Sequence, residues 1–192
     1  GMQDTHFVLH KMRPHPSQGI AIEADGVTAV ENVLFSKYLM YRTVYWHRAV
    51  RIATAMIKQA VYSGMIDGKI APQDLYWLDD EDFFRKFPSD AHPPFQLIEK
   101  VMNRRLFKTT YECSFGPNDQ LHQSLTELRS RNSLQEQIAG RLSSQLQRTV
   151  YPYEVLIDIP EPISFEVDLP IHQDGEYVPF TSSGSVFSGP VV

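Results

Sequence analysis

Four residues of one stretch carry the side chains best suited to a charged ligand. Lys37, Tyr41, Tyr45 and Arg48 follow one another in steps of four, four and three, the spacing that aligns side chains along one stripe of a helix. Phosphate recognition needs cations, and a phenol stacks on a sugar or hydrogen-bonds to it. Periodicity by itself has a second reading, in which the tyrosines are core and the cations its solvated margin. A second group, Arg104, Arg105 and Lys108, sits at the end of a helical segment, where cations suit the negative end of the helix dipole.

Other candidates are weaker. His6, His10 and His15 with Asp4 resemble a small metal cluster, but the run Met12-Arg13-Pro14-His15-Pro16 argues against a stable helix there, so ordinary surface histidines are expected. The acids Asp79, Asp80, Glu81 and Asp82 are best explained as an N-cap, Asp79 or Asp80, with further acids in the first helical turn. No neighbouring feature marks Cys113 as a nucleophile. A serine-nucleophile elbow, a P-loop and a dinucleotide fingerprint are absent from the sequence.

The element that must position the first group runs from Thr28 to about Tyr62 without Pro or Gly. Thr28 and Glu31 form a capping-box pattern at its start. Val30, Leu34, Tyr41, Tyr45, Ile52 and Met56 recur at helical spacing, and Val33, Met40 and Val44 widen that face. One long helix is predicted, of the order of 50 Å at ~1.5 Å per residue. Gly64 or a neighbour stops it. Ahead of it, a polar, proline-broken leader is followed by a short strand over Gly19–Glu23 and an Asp25-Gly26 turn. Behind it, a helix is predicted over Asp74–Lys86 and another from Phe95 to about Arg105, separated by Pro88, Pro93 and Pro94.

From Leu106 the pattern mixes. Phe107–Cys113 reads as a strand, Asp119–Arg129 as a polar helix, and a capping box at Ser133 and Glu136 starts a helix through about Leu146. Val155–Ile159 reads as a buried strand between prolines, Ser164–Leu169 as a half-buried one, and Glu176–Phe180 as one more short strand. The fold class expected is α+β, mainly α: a long central helix, a helical front half over 1–110 and a small mixed α/β C-terminal subdomain over 111–192.

The chain of 192 residues is 42% hydrophobic and 21% charged, enough for a buried core. Its net charge of −5 gives no general attraction to nucleic acid or anionic lipid. No apolar run approaches the ~20 residues a membrane helix needs. The single cysteine makes a reducing cytoplasm the default. Gly1 ahead of Met2 reads as the remnant of a cleaved tag, so the ends need not be natural ones.

The central stretch also resembles a known family. VENVLFSKYLMYRTVYWHRAVRIATAMI is similar to the long helix that follows the catalytic centre in HD-domain phosphohydrolases of the deoxynucleoside triphosphate triphosphohydrolase-like branch. That branch has bacterial members and a mammalian relative fused to a sterile alpha motif. The resemblance centres on Lys37, Tyr38-Leu39-Met40-Tyr41 and Val44-Tyr45-Trp46-His47-Arg48. It extends through GIAIEADGVTAVENVL, LDDEDFF, NRRLFK and EVLIDIPEP in the order the family uses. It implies that Lys37 stands where the family has a triphosphate-gripping Arg, that Tyr45 lies beside the deoxyribose, and that Tyr41 shares the pocket wall. From the regulated mammalian relative it implies a possible second, allosteric nucleotide site at Arg48, Arg104 and Lys108.

The family holds its divalent metal, of the Mn, Mg, Fe or Zn type, with a His, a His-Asp dipeptide and a later Asp. None of the seven histidines here is followed by Asp. The resemblance therefore implies the C-terminal portion of such an enzyme, with no catalytic or metal-binding residues of its own. It is expected to partner an HD-bearing half or upstream domain, to form homo-oligomers and to meet nucleotides, with no membrane role. The other expectation is a standalone nucleotide-binding, regulatory or oligomerisation module without catalysis. A purely structural helical scaffold is the third.

Overall fold

A computed structural model describes residues 4–87, 91–160 and 167–185. The chain forms two compact units, one of residues Gly1–Trp46 with Glu161–Val192 and the other of His47–Pro160. Helices dominate beside one small mixed sheet, the α+β, mainly α class that the sequence predicts.

In the first unit α1 (Thr5–Lys11) is capped by the Asp4 carboxylate, which accepts from the Phe7 amide at 2.9 Å. The prolines expected to prevent a helix here only end it, because they begin at position 14. β1 (Met12–His15) and β2 (Gly19–Glu23) form an antiparallel hairpin whose turn is sealed by His15 Nδ1, the acceptor for the Ser17 and Gln18 amides. Pro14 is tolerated because β1 is an edge strand. β3 (Ile171–Gln173) pairs parallel to β2 and antiparallel to β4 (Glu176–Val178). The β3–β4 turn is Asp174-Gly175, both at positive φ, the pattern of a tight primed turn. Of the strand expected over 164–169, residues 164–166 lie outside the described residues, and Val167–Leu169 belongs to no strand.

α2 (Val27–Met40) lies against this sheet, closing a core of Ile22, Val30, Ile171 and Phe180 with Val27, Leu34, Tyr38 and Tyr41 at its edge. Gly26 stands at its N-terminus and no side chain caps it, so the Thr28–Glu31 box does not form. Gly26 is there for space: a Cβ would fall 2.8 Å from both Ile22 Cγ1 and Lys11 Cβ.

The single long helix is also corrected. α2 runs into a π-helical turn, Tyr41–Tyr45, closed by the Trp46 amide on the Tyr41 carbonyl at 2.8 Å. His47 then swings to an extended ψ of 132°, and its Nδ1 accepts from the Ala49 amide at 3.3 Å, capping a new helix, α3 (Arg48–Ile66). Absence of Pro and Gly removes two causes of a break but not these: the widened turn and a cap-forming side chain.

In the second unit α3 packs on α5 (Gln96–Met102) around Met56, Ala60, Ile70, Phe87, Phe95, Leu97 and Ile98. The stop is a neighbour of Gly64, as the sequence allows: α3 ends at Ile66, with Asp67 as its C-cap. Gly64 lies inside α3, where a Cβ would fall 2.8 Å from Ile70 Cδ1 and 2.9 Å from Phe95 Cε1. The Asp74–Lys86 segment divides into a short 3-10 turn, Pro72–Leu75, and α4 (Asp80–Lys86), capped by Asp79 on the Asp82 amide at 2.8 Å. The backbone between them turns through Trp77 at φ +63°.

α6 (Gln120–Ser124) is capped by Asp119, and α7 (Leu128–Leu146) begins five residues before the expected Ser133 box. Neither Phe107–Cys113 nor Val155–Ile159 is a strand. One amide of each is engaged by a side chain: Phe107 N contacts Met56 Sδ at 3.5 Å, and Ile157 N donates to the Gln135 side chain at 3.0 Å. A β-rich composition fits any extended segment that lies on a core, with or without a ladder.

Candidate functional site

In the first unit, the structure brings Lys37, Tyr41 and Tyr45 together. Lys37 lies on the last turn of α2, and its Nζ is 6.0 Å from the centroid of the Tyr41 ring. The Tyr41 and Tyr45 rings are 4.9 Å apart, tilted by 41°. Tyr41 is half-buried on the edge of the core, whereas Tyr45 is 51% exposed. The anchored ring thus leans on a free-standing one, and the cation lies over the anchored one. Tyr41 serves the core, and Tyr45 is presented outward.

The π turn sets this arrangement. Its i to i−5 bond widens the backbone by one residue per turn. Thr43 Oγ1 donates to the Leu39 carbonyl at 2.7 Å, and Arg42 Nη1 donates to the Tyr38 hydroxyl at 3.2 Å. These bonds brace the turn from its two sides. Such turns recur at functional sites.

Arg48 belongs to the second unit, at the start of α3. Its Nη2 is 2.6 Å from Glu112 Oε2, with both side chains about two-thirds exposed. The extended run carrying Lys108 is thereby tied to the α3 N-terminus. Arg104 ends α5 at φ +56°, with its amide on the Val101 carbonyl and the Arg105 amide on the Lys100 carbonyl. Glycine is favoured in that left-handed position, so an arginine there costs about 1 kcal/mol of backbone strain. Arg104, Arg105 and Lys108 are all exposed.

Two groupings escaped the sequence reading. Arg51 grips Asp158 with two bonds, Nε to Oδ2 at 2.9 Å and Nη2 to Oδ1 at 2.6 Å, across 107 residues of sequence. A positional hint existed, since Arg51 lies one turn beyond Arg48 and Asp158 lies in the EVLIDIPEP segment. The other surrounds Cys113, whose Sγ is 3.9 Å from His122 Nε2. Gly116 N donates to His122 Nδ1 at 2.8 Å, which leaves the ring proton on Nε2, toward the sulfur. The Tyr111 hydroxyl is raised above its usual range, first by its hydrogen bond to Cys113 and then by that group's charge. No local pattern joins positions 111, 113 and 122, because the loop between them makes the contact.

The acidic segment is structural in the way its spacing predicts. Asp79 caps α4, Asp82 pairs with Arg85 at 2.5 Å, and Asp74 meets Lys86 at 3.2 Å. Among the described residues, no three His, Cys, Asp or Glu side chains converge to hold a metal ion. His6 and His10 stand on α1 and His15 on β1, engaged in its turn. No described helix is long and apolar enough to cross a membrane.

Comparisons with known proteins agree with this architecture. An uncharacterized protein of Methanocaldococcus jannaschii is 31% identical over 118 residues, covering 60% of this chain and 26% of its own length. The uncharacterized protein YwfO of Bacillus subtilis is 25% identical over 144 residues, covering 63% of this chain and 32% of its own. The crystal structure of a phosphohydrolase from Bacteroides thetaiotaomicron superposes with a TM-score of 0.56 over 97% of this chain and 52% of that one. At 18% identity the last match shows a shared fold. The chain thus spans about a quarter to a half of the proteins it resembles. The family described as the HD associated region matches residues 4–188, nearly the whole chain. With so full a match, the chain belongs to the HD-associated region family.

Proposed function

We propose that this chain is the C-terminal nucleotide-pocket and oligomerisation portion of a metal-dependent HD-family phosphohydrolase acting on (deoxy)nucleoside triphosphates. The observation that carries the reading is the Lys37–Tyr41–Tyr45 array on its π-helical turn. A cation beside two phenols matches what a nucleoside triphosphate offers, a polyanion joined to a sugar with one apolar face. Lys37 supplies a point charge to the phosphates, Tyr41 holds the wall against the core, and Tyr45 meets the sugar. A lysine lacks the planar fork of the Arg usual in the dNTP-hydrolysing branch, so it attracts the phosphates without the bidentate grip.

The metal and its activated water would come from an HD-bearing partner or upstream domain, because none of the seven histidines here is followed by Asp. Self-association and a cytoplasmic setting belong to the same proposal. Its test is a hydrolysis assay on the isolated chain with dGTP and added manganese. No release of inorganic phosphate or triphosphate is expected. Robust manganese-dependent turnover would sink the assignment.

A second reading rests on Arg104. A non-glycine residue kept in a left-handed conformation points to selection for its side chain. With Lys108, and with Arg48 released from Glu112, it would form a phosphate-binding cluster in a regulatory module without catalysis. Charge reversal, Arg104→Glu with Lys108→Glu, would then abolish nucleotide binding, while Lys37→Ala would leave it intact.

A further inference from the structure

Cys113 is exposed in the run between α5 and α6, and two hydrogen-bond donors of the second unit meet its side chain. His122 Nε2 lies 3.9 Å from Sγ, and the Tyr111 hydroxyl is hydrogen-bonded to the same group. The far side of the imidazole fixes its role. Nδ1 accepts the Gly116 amide at 2.8 Å, so the neutral ring carries its proton on Nε2. A ring nitrogen that carries a proton neither coordinates a metal ion nor takes the proton of a thiol; it donates. Phe115 stacks on the ring at 5.6 Å, and Asp119 Oδ1 accepts from the His122 amide at 3.1 Å, which holds the imidazole in place. Tyr111 is raised above its usual range by its bond to Cys113 and then by that group's charge, so it stays a phenol and the second donor. Glu112, between them in sequence, pairs with Arg48 at 2.6 Å and ties the run to α3.

Donors placed around a sulfur favour one class of reaction over others. An alkylating agent that expels a halide needs no help for its leaving group. A peroxide expels hydroxide, a poor leaving group, and N–H and O–H donors beside the sulfur hold the charge that develops on it. The 3.9 Å gap between Sγ and Nε2 also has room for an oxygen bonded to the sulfur, which would accept the same N–H.

We propose that Cys113 is a peroxide-reactive modification site in which Tyr111 and His122 donate to the departing hydroxide. The sulfur, as thiolate, attacks one peroxide oxygen. The S–O bond forms, the O–O bond breaks, and the electron pair leaves on the distal oxygen. Sulfur is oxidised and the peroxide reduced, and the hydroxide regains from water the proton that the thiol gave up. The chain has a single cysteine, so the product is a sulfenic acid, open to capping by a small thiol, and not an internal disulfide. The site stands apart from the nucleotide reading, since none of its residues belongs to the Lys37 array.

The test follows the full chain by intact-mass spectrometry at one pH, with hydrogen peroxide and dimedone in one series and iodoacetamide in the other. The ratio of the two rates cancels any difference in thiolate fraction between variants, because both reagents attack through the thiolate. In the double variant Tyr111→Phe with His122→Phe, the peroxide-to-iodoacetamide ratio is expected to fall at least about tenfold. Phenylalanine at 122 keeps a ring against Phe115 and removes the donor. Tyr111→Phe alone takes away one hydroxyl from a side chain that is 80% exposed, so the fold is kept, and the ratio should already fall. A smaller change in the double variant, or an unchanged ratio in Tyr111→Phe, would overturn the proposal. So would a parent chain that forms no dimedone adduct at Cys113.

Discussion

Tyr41 and Tyr45 meet at 4.9 Å across one π-helical turn, and the contact depends on that turn. In a regular α-helix, residues four apart stack almost one above the other. Here the i to i−5 bond from Trp46 to Tyr41 widens the backbone between them, and the rings tilt by 41° instead. The first ring is core and the second is surface, so a perturbation at Tyr45 reaches the outer face of the array without disturbing the fold. Tyr45→Ala should leave the melting temperature within about 2 °C of the parent. It should also weaken any nucleotide-induced stabilisation. Equal nucleotide response in parent and variant would remove Tyr45 from the site.

Gly64 tests the packing of the second unit. Alanine is the better helix former by about 1 kcal/mol. A Cβ at this position would nonetheless press on Ile70 and Phe95 at 2.8–2.9 Å. The neighbours are core, so they give little ground. Gly64→Ala is expected to destabilise by about 1–3 kcal/mol in urea unfolding. Stabilisation would show that the helix interior has room the structure does not record.

Gln135 joins three segments of that unit. Its Nε2 donates to Gln59 Oε1 at 3.1 Å and its Oε1 accepts from the Ile157 amide at 3.0 Å. The residue is only 3% exposed, so truncation removes both bonds from a part-buried site and opens a cavity there. Gln135→Ala should cost about 2–4 kcal/mol, combining the lost bonds with a cavity. A cost below about 0.5 kcal/mol in the same unfolding measurement would mean that water or rearrangement takes over these bonds.

Asp74 and Asp119 set an acid dependence. Asp74 is held below its ordinary 3.8, first by the Ala71 amide that donates to it and then by Lys86. Asp119 is lowered, first by the His122 amide. A carboxylate lowered on folding contributes stability above its unfolded pKa and loses it as pH falls through the folded value. Stability should therefore decline on acidification from about pH 5 downward. In Asp74→Asn the decline should be shallower, and in the double variant with Asp119→Asn shallower still. Identical acid limbs in parent and variants, followed by circular dichroism, would contradict these assignments.

What the sequence made legible was local. The Asp79 cap, the Gly19–Glu23 strand and the amphipathic α3 follow from spacing within one turn or one pleat. What it hid was long-range or conformational. A strand and an unpaired segment share composition, so Phe107–Cys113 and Val155–Ile159 read as ladder strands, whereas each forms no ladder and has one amide met by a side chain, Met56 or Gln135. The break at His47 has no Pro or Gly to announce it, because the cause is a cap made by an imidazole. Pairing of β2 with β3 joins positions about 150 residues apart, and no local pattern encodes that. Of the site, the Lys37–Tyr41–Tyr45 stripe was legible as spacing, while its π turn and the division of the tyrosines into core and surface were not.

The central claim is that this chain carries a nucleotide-binding wall and no hydrolytic centre. It is tested most directly by a thermal-shift titration with dGTP, dATP and GTP, with and without manganese. The account predicts stabilisation that grows with nucleotide, needs no metal and disappears in Lys37→Ala. No shift with any nucleotide, or a shift unchanged in Lys37→Ala, would contradict it.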